Sequence, residues 1–188
     1  MIIAIKDGEK ALLAYVNTYD TVNLSARDFY DEENIPFKIC KEKGMVCGLC
    51  EFTRLSDKLL YDDEFLAGEI TPQAFRRDII PYIKEKAGEE NFISKGKWEN
   101  DFIVCKGNKI YGVDGDFVLR EGTDFLMFGI GRDAVKGILN ATKGLPARER
   151  IAKAIDFYGE TTRSNYYPIA IVDTEKFALE FLEKGDVK

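Results

Sequence analysis

The chain has 188 residues, 27 of them basic and 33 acidic, which gives a net charge of −6, and it contains no histidine. This length fits a single domain over residues 1–188, and the negative balance disfavours nucleic acid or an anionic membrane as a partner. No apolar run approaches the ~18 residues of a membrane span and no export pattern opens the chain, so we expect a cytoplasmic protein. Without histidine, Ser-His-Asp and Cys-His catalysis and histidine-ligated zinc are excluded.

The first half of the chain predicts two strand pairs followed by two helices. Thr71-Pro72 is a favourable helix start, and Pro81 inside that helix predicts a kink near 77–81. A polar surface loop is expected at 18–34 and a linker at 88–98. The predicted strands are 2–6, 11–17, about 35–41 and 45–49, and the predicted helices are about 51–61 and 71–87.

The second half alternates strands and helices more regularly. Several strands are apolar on both faces, so both faces of their sheets must be covered. Two sheets packed face to face, each covered outside by a helix pair, would satisfy this, which predicts an α+β fold and a four-layer αββα sandwich. The predicted strands are 101–106, 109–113, 116–120, 124–130 and 166–172, and the predicted helices are 131–142, 146–158 and 175–184.

Four cysteines suggest a metal or redox site as one alternative. Cys47 and Cys50 form a Cys-x-x-Cys pair, with Cys40 upstream and Cys105 downstream. Zinc ribbons usually carry two such pairs, however, and this chain has one. Because the residues around Cys47 have the pattern of a buried strand, we favour core packing for the cysteines and expect no cofactor.

Further patterns match a known family. Gly129-Ile130-Gly131 follows an apolar strand and opens a helix, and matching segments lie at 102–104, 107–111, 128–134, 141–146 and 149–155. With the opening hairpin and the helix that starts at Thr71, they make the chain resemble proteasome β-subunits and the HslV peptidase, which are N-terminal nucleophile hydrolases. The resemblance implies the αββα fold and homo-oligomers that assemble through their helical layers.

The catalytic positions of that family are largely changed in this sequence. The family uses an N-terminal Thr as nucleophile, an Asp that ends the second strand and a Lys on the next strand. By the resemblance, these positions fall on Met1, on Asn17 (or Val16) and on Lys38, and the Ser in the middle of the Gly-x-Gly turn is Ile130. Only Lys38 keeps the family's residue, so the usual chemistry is expected to be lost.

We therefore expect a non-catalytic oligomeric or binding subunit, with a protein partner that the sequence does not identify. The alternative is an amide-bond hydrolase with an unusual nucleophile, for which Thr18, Thr21, Ser25 and Cys47 are the candidates. The loop 158–168 approaches the active-site mouth in the resembled family. Its Glu160, Arg163 and Ser164 could act electrostatically there, although a solvated connection is the simpler interpretation.

Overall fold

The computed structural model describes residues 1–16, 37–50, 59, 62–89, 93–94, 96–98 and 100–186. The strands are β1 (Ile2–Asp7), β2 (Lys10–Tyr15), β3 (Phe37–Cys40), β4 (Met45–Leu49), β5 (Ile93–Ser94), β6 (Lys97–Trp98), β7 (Phe102–Lys106), β8 (Lys109–Val113), β9 (Leu119–Gly122), β10 (Phe125–Phe128), β11 (Ile169–Asp173) and β12 (Leu179–Leu182). The α-helices are α1 (Pro72–Ala74), α2 (Ile80–Glu89), α3 (Arg132–Ala141) and α4 (Ala147–Thr162), with a π-helical turn at Phe75–Ile79 between α1 and α2. The expected loop 18–34 and most of the expected helix 51–61 lie outside the described residues.

Two five-stranded antiparallel sheets form the framework. The first has the order β10-β1-β2-β11-β12 and the second has the order β3-β4-β7-β8-β9. In the first sheet, β1 lies between β10 and β2, with Ile2 opposite both Phe128 and Tyr15. The start of the chain is therefore held inside a sheet.

The core divides into three clusters because strand side chains alternate between the two faces of a sheet. The inner cluster joins both sheets and contains Ile2 and Leu13 from the first with Val46 and Ile103 from the second. The α2 cluster packs the other face of the second sheet against residues such as Phe75 and Ile83. The α4 cluster packs the other face of the first sheet against α3 and α4, through residues such as Val135 and Ile151.

The expected kink coincides with the π-helical turn. Thr71 accepts a hydrogen bond from the Ala74 amide at 3.2 Å, and Pro72 occupies the first helical turn, as the sequence predicts. Pro81 has no amide hydrogen and its ring crowds the carbonyl four residues earlier, so the ladder adjusts immediately before it.

The prediction of a helix at 175–184 is wrong, because that segment makes a turn and then forms β12. Asp173 accepts the Glu175 amide at 3.0 Å and Phe177 adopts a φ of +54°, which ends β11 in a turn. Leu179 and Phe181 then pack against the inner cluster while Leu182 joins the α4 cluster, which is the period-two pattern of a strand.

Two other differences between the predicted and the observed elements are local. The strand expected at 116–120 lies at Leu119–Gly122, because Phe117 adopts a left-handed φ of +60° and turns the chain. The linker expected at 88–98 contains the short β5–β6 hairpin, whose Trp98 stacks on Phe117 with ring centroids 6.0 Å apart. None of the helices in the described ranges is long and apolar enough to cross a bilayer.

Candidate functional site

Met1 is part of the folded core. Its α-amine donates a hydrogen bond to the Val16 carbonyl at 2.9 Å, and the Val16 amide donates to the Met1 carbonyl at 2.9 Å. Its side chain belongs to the α4 cluster and only 3% of Met1 is exposed. The position that the resemblance gives to a nucleophile is thus filled by a packed thioether, which has no hydroxyl or thiol with which to attack a carbonyl.

The turn between β10 and α3 closes around Met1. Gly129 has a φ of +107°, and a Cβ added there would lie 2.9 Å from both the Met1 Cα and the Cys50 Sγ. A side chain at this position would therefore be strained and would also collide with its neighbours. Met1, Cys50 and Gly129 consequently form one contact. No pattern in the sequence indicated that Cys50 would take part in it.

Ile130 follows at the surface, where 63% of it is exposed. The next residue, Gly131, has a φ of +79° and faces the ring of Tyr158, which a Cβ at this position would approach to 2.3 Å. Tyr158 stacks on Tyr166 with ring centroids 5.1 Å apart, so the loop after α4 is packed beside this turn. Ile130 therefore offers an exposed apolar side chain and no proton-transfer group.

Lys38 makes its described contacts on the α2 side of the second sheet. Its Nζ donates to the Asp62 carbonyl and lies 5.9 Å from the centre of the Phe65 ring. Lys38 pairs in register with Cys47, a member of the α2 cluster, whereas Met1 packs in the α4 cluster on the far side of the first sheet. The described contacts of Lys38 therefore do not include Met1 or Ile130.

The partner of Lys38 is itself held by several groups. The Tyr82 hydroxyl donates to Asp62 Oδ2, and the Glu64 amide donates to Asp62 Oδ1 at 2.9 Å. The Tyr82 hydrogen bond, then the Glu64 amide and the charges of Lys86 and Lys38, lower the pKa of Asp62 against the effect of burial. This network could not be read from the sequence, because its members are far apart in the chain.

Asn17, the other position implied by the resemblance, lies outside the described residues. Val16, which a shifted alignment would place there, is fully buried in the α4 cluster. The candidates Thr18, Thr21 and Ser25 also lie outside the described residues.

The four cysteines are buried, and they lie on opposite faces of the second sheet. Cys40 and Cys47 belong to the α2 cluster, and Cys50 and Cys105 belong to the inner cluster. The described residues include all four cysteines. Among these residues, no group of three or more potential ligands lies close enough together to hold a metal ion, so the four cysteines do not form the metal site considered above. Burial raises the pKa of Cys47 well above its ordinary value, which makes this thiol a poor nucleophile.

The loop after α4 lines a surface cavity of about 570 Å³. Glu160, Arg163 and Ser164, which the sequence singled out, all contribute to its wall, together with Asp156 and Lys184. The sequence did not indicate Asp156 or Lys184, because only the fold brings the end of α4 and the residues after β12 together.

Searches against protein-family models and against curated proteins gave no match. Solved structures do match over nearly the whole chain. BPH from Thiobacillus denitrificans has a TM-score of 0.66 at 14% identity, with 98% of each chain covered, and it has also been solved in complex with epoxomicin. Anbu, an ancestral β-subunit from Yersinia bercovieri, has a TM-score of 0.66 at 9% identity, covering 98% of this chain and 87% of that one. HslV from Trypanosoma brucei has a TM-score of 0.57 at 14% identity, covering 92% and 97%. These similarities show that the chain has the proteasome-like N-terminal nucleophile hydrolase fold.

Proposed function

We propose that this chain is a non-catalytic member of the proteasome and HslV-like proteins that acts as an oligomeric or binding subunit. The observation that carries the proposal is the burial of Met1 at the position of the nucleophile. Hydrolases of this fold require a side chain there that can attack a carbonyl, with the chain's own amine as base. Here the side chain is a thioether packed in the α4 cluster, and the amine donates to the Val16 carbonyl.

The other implied positions support the same proposal. Ile130 replaces a hydroxyl with an exposed apolar side chain, and Lys38 donates to the Asp62 carbonyl. Lys38 then serves to hold the segment 62–66, to which Lys43 also donates at the Leu66 carbonyl at 3.1 Å. In this proposal both lysines stabilise a turn and neither takes part in proton transfer.

The proposal includes the architecture and the setting of the protein. The three core clusters support a four-layer αββα sandwich, with one interface between the sheets and one between each sheet and its helices. Residues 1–188 would form one domain, and copies of it would associate through the helical layers in the cytoplasm.

Epoxomicin provides a direct test, because BPH binds it. The purified protein would be incubated with epoxomicin and examined by intact mass spectrometry, with BPH as the positive control, and both would be assayed with fluorogenic peptides. We expect neither an adduct nor hydrolysis above buffer. A stoichiometric adduct, or hydrolysis that Lys38→Met abolishes while the control Lys41→Met retains it, would instead establish the hydrolase alternative.

A further inference from the structure

Apolar residues follow the outer side of α3, away from the core. Spacings of three and four positions put residues on one side of a helix. Ile130, just before α3, is 63% exposed, and Leu145, after it, is 38% exposed. An added Cβ at Gly137 would have no described atom within 4 Å outside its own helix, so the middle of this side is open. We call this surface the α3 face, and its members are Ile130, Ala134, Gly137, Ile138, Ala141 and Leu145.

The helix α4 widens the α3 face at one end. Phe157 is 42% exposed, and it lies two helical turns after Arg150, whose guanidinium donates to a carbonyl of α3. Phe157 is therefore on the side of α4 that faces α3. Because Gly131 faces the ring of Tyr158, this part of α4 lies beside the start of α3. Ile130 and Phe157 consequently lie at the same end of the surface.

The α3 face has the same pattern in both directions along the chain. Its positions lie at equal distances from the point midway between Gly137 and Ile138, as the pairs 130 and 145, 134 and 141, and 137 and 138. Large apolar side chains stand at both ends, and alanine or glycine occupies three of the four inner positions, which allows two helices to approach closely. In a two-fold contact, residue i meets residue j and residue j meets residue i. A second α3 running in the opposite direction would therefore place Ile130 against Leu145 at both ends.

Charged residues beside the α3 face agree with this arrangement. The side chain of Asp133 is 93% exposed, and its ion pair with Arg132 is long, at 3.8 Å. In the antiparallel arrangement, position 133 lies opposite position 142, so Asp133 comes beside the exposed Lys143 of the second copy. The two-fold axis repeats this pair of opposite charges at the other end. The complementarity of the face with itself, in shape and in charge, indicates a second copy of the chain as its partner.

We propose that the α3 face binds the α3 face of a second copy of this chain in an antiparallel, two-fold symmetric contact. This contact specifies where the self-association included in the proposed function occurs, and it rests on that proposal. It removes a row of exposed apolar side chains from water. It also gives the small residues in the middle of the row a role, since they let the two helices approach each other.

A charge exchange tests the register of the contact. Sedimentation velocity would measure the self-association of the wild type, of Asp133→Lys, of Lys143→Asp and of the double variant. Each single variant places like charges together at both ends, so we expect self-association to be about tenfold weaker. The double variant restores opposite charges and should associate within about threefold of the wild type. A double variant as weak as the single variants would show that the antiparallel register is wrong.

Glu9→Lys is the control for net charge. It makes the same charge change as Asp133→Lys, at the exposed turn between β1 and β2, and should associate like the wild type. An equal loss in Glu9→Lys would overturn the proposal.

The wild type itself separates this contact from the proposed function. A monomeric wild type would contradict both the contact and the proposed self-association. A wild type that assembles, with both single variants assembling equally well, would contradict only the α3 contact.

Disulfide trapping locates the contact without changing its charges. Gly137→Cys would lie next to the two-fold axis, and the four native cysteines are buried, so they should not compete. After oxidation with copper phenanthroline, Gly137→Cys should give a covalent dimer on a non-reducing gel, whereas Glu9→Cys should stay monomeric. If Gly137→Cys assembles but forms no covalent dimer, the two α3 faces do not meet and the proposal is wrong.

Discussion

At the scale of single residues, the first residue of the chain makes close contacts that most other side chains at these positions would prevent. Met1, Cys50 and Gly129 meet with no room for another carbon atom. Cys50 and Gly129 lie far apart in the chain, so the sequence could suggest the turn at 129–131 but not its contact with Cys50. The resemblance supplied Lys38 as a position but could not supply its partner, because the Asp62 carbonyl reaches it only in the folded protein.

Gly129→Ala should destabilise the protein, since the added Cβ would be both strained and in collision with Met1 and Cys50. We expect a loss of about 2 kcal/mol or more in the free energy of unfolding, as for other forced left-handed residues. Gly137→Ala is the matched control, because Gly137 is exposed within α3 and has nothing within 4 Å of an added Cβ. In this control the free energy of unfolding should rise by about 0.5–1 kcal/mol. Urea denaturation measures both, and equal effects of the two substitutions would contradict the described contact.

Lys38→Met should lower the free energy of unfolding by about 1.5 kcal/mol, because the Asp62 carbonyl loses a charged donor. Lys41→Met, an exposed neighbour, should change it by less than about 0.5 kcal/mol. Chemical denaturation of the two variants tests this structural role of Lys38. A Lys38→Met variant as stable as the wild type would remove the physical basis for it.

At the scale of secondary-structure elements, an ion pair between the buried Arg150 and the partly exposed Asp124 connects α4 to its surroundings. Arg150 donates to both carboxylate oxygens of Asp124, at 2.9 and 2.7 Å, and also to the Leu139 carbonyl near the end of α3 at 2.7 Å. Arg150 is only 4% exposed. One side chain therefore connects α4, the end of α3 and the turn before β10.

Asp124→Asn should destabilise the protein by about 3 kcal/mol at pH 7, because it leaves a buried guanidinium without its counter-charge. The Arg150 hydrogen bond holds the pKa of Asp124 below the ordinary value of 3.8. A carboxylate with a lowered folded-state pKa stabilises the protein above its unfolded pKa, and this contribution is lost as pH falls through the folded value. The wild type should therefore lose more stability than the variant between pH 5 and pH 2, as measured by urea midpoints.

The exposed pair of Arg77 and Asp78 provides the control for this prediction. It has similar bidentate geometry, at 2.8 and 2.7 Å, and a lowered Asp pKa, but both side chains are more than half exposed. Asp78→Asn should leave the urea midpoint and its pH dependence unchanged. A similar loss in both variants would mean that burial of Arg150 does not decide the effect.

Helices and strands differed in how well they could be predicted. The two helices after the Gly-x-Gly turn follow from their apolar spacing, and they start and end within four residues of the expected positions. The segment 175–184 could not be assigned correctly, because Phe177, Leu179, Phe181 and Leu182 satisfy both a helical and an alternating pattern. Its pairing with β11 decides in favour of a strand, and that pairing is a tertiary contact.

At the scale of the whole molecule, the fold was predicted from the sequence resemblance better than the chemistry of the site was. Continuous apolar strands require both sheet faces to be covered, and the core clusters show that each sheet contributes to two of them. The site depends on a few side chains whose partners come from distant segments, so spacing in the sequence could not define it.

The proposed self-association predicts that light scattering will give a mass of at least twice the 21.3 kDa of one chain. Arg76 is exposed on the helical layer that covers the second sheet, so Arg76→Glu should reduce the assembly if copies meet through this layer. Gln73→Glu, a smaller charge change on the same helical layer, should reduce the assembly less. A monomer at micromolar concentration would contradict the proposed association.

The most direct test of the central claim is intact mass spectrometry combined with N-terminal sequencing of the protein from its native host. We predict a chain that begins at Met1, with its amine bonded within the fold and no side chain able to attack a carbonyl. A mature chain that begins instead at a Thr, Ser or Cys exposed by processing would contradict the account and would make the protein a hydrolase.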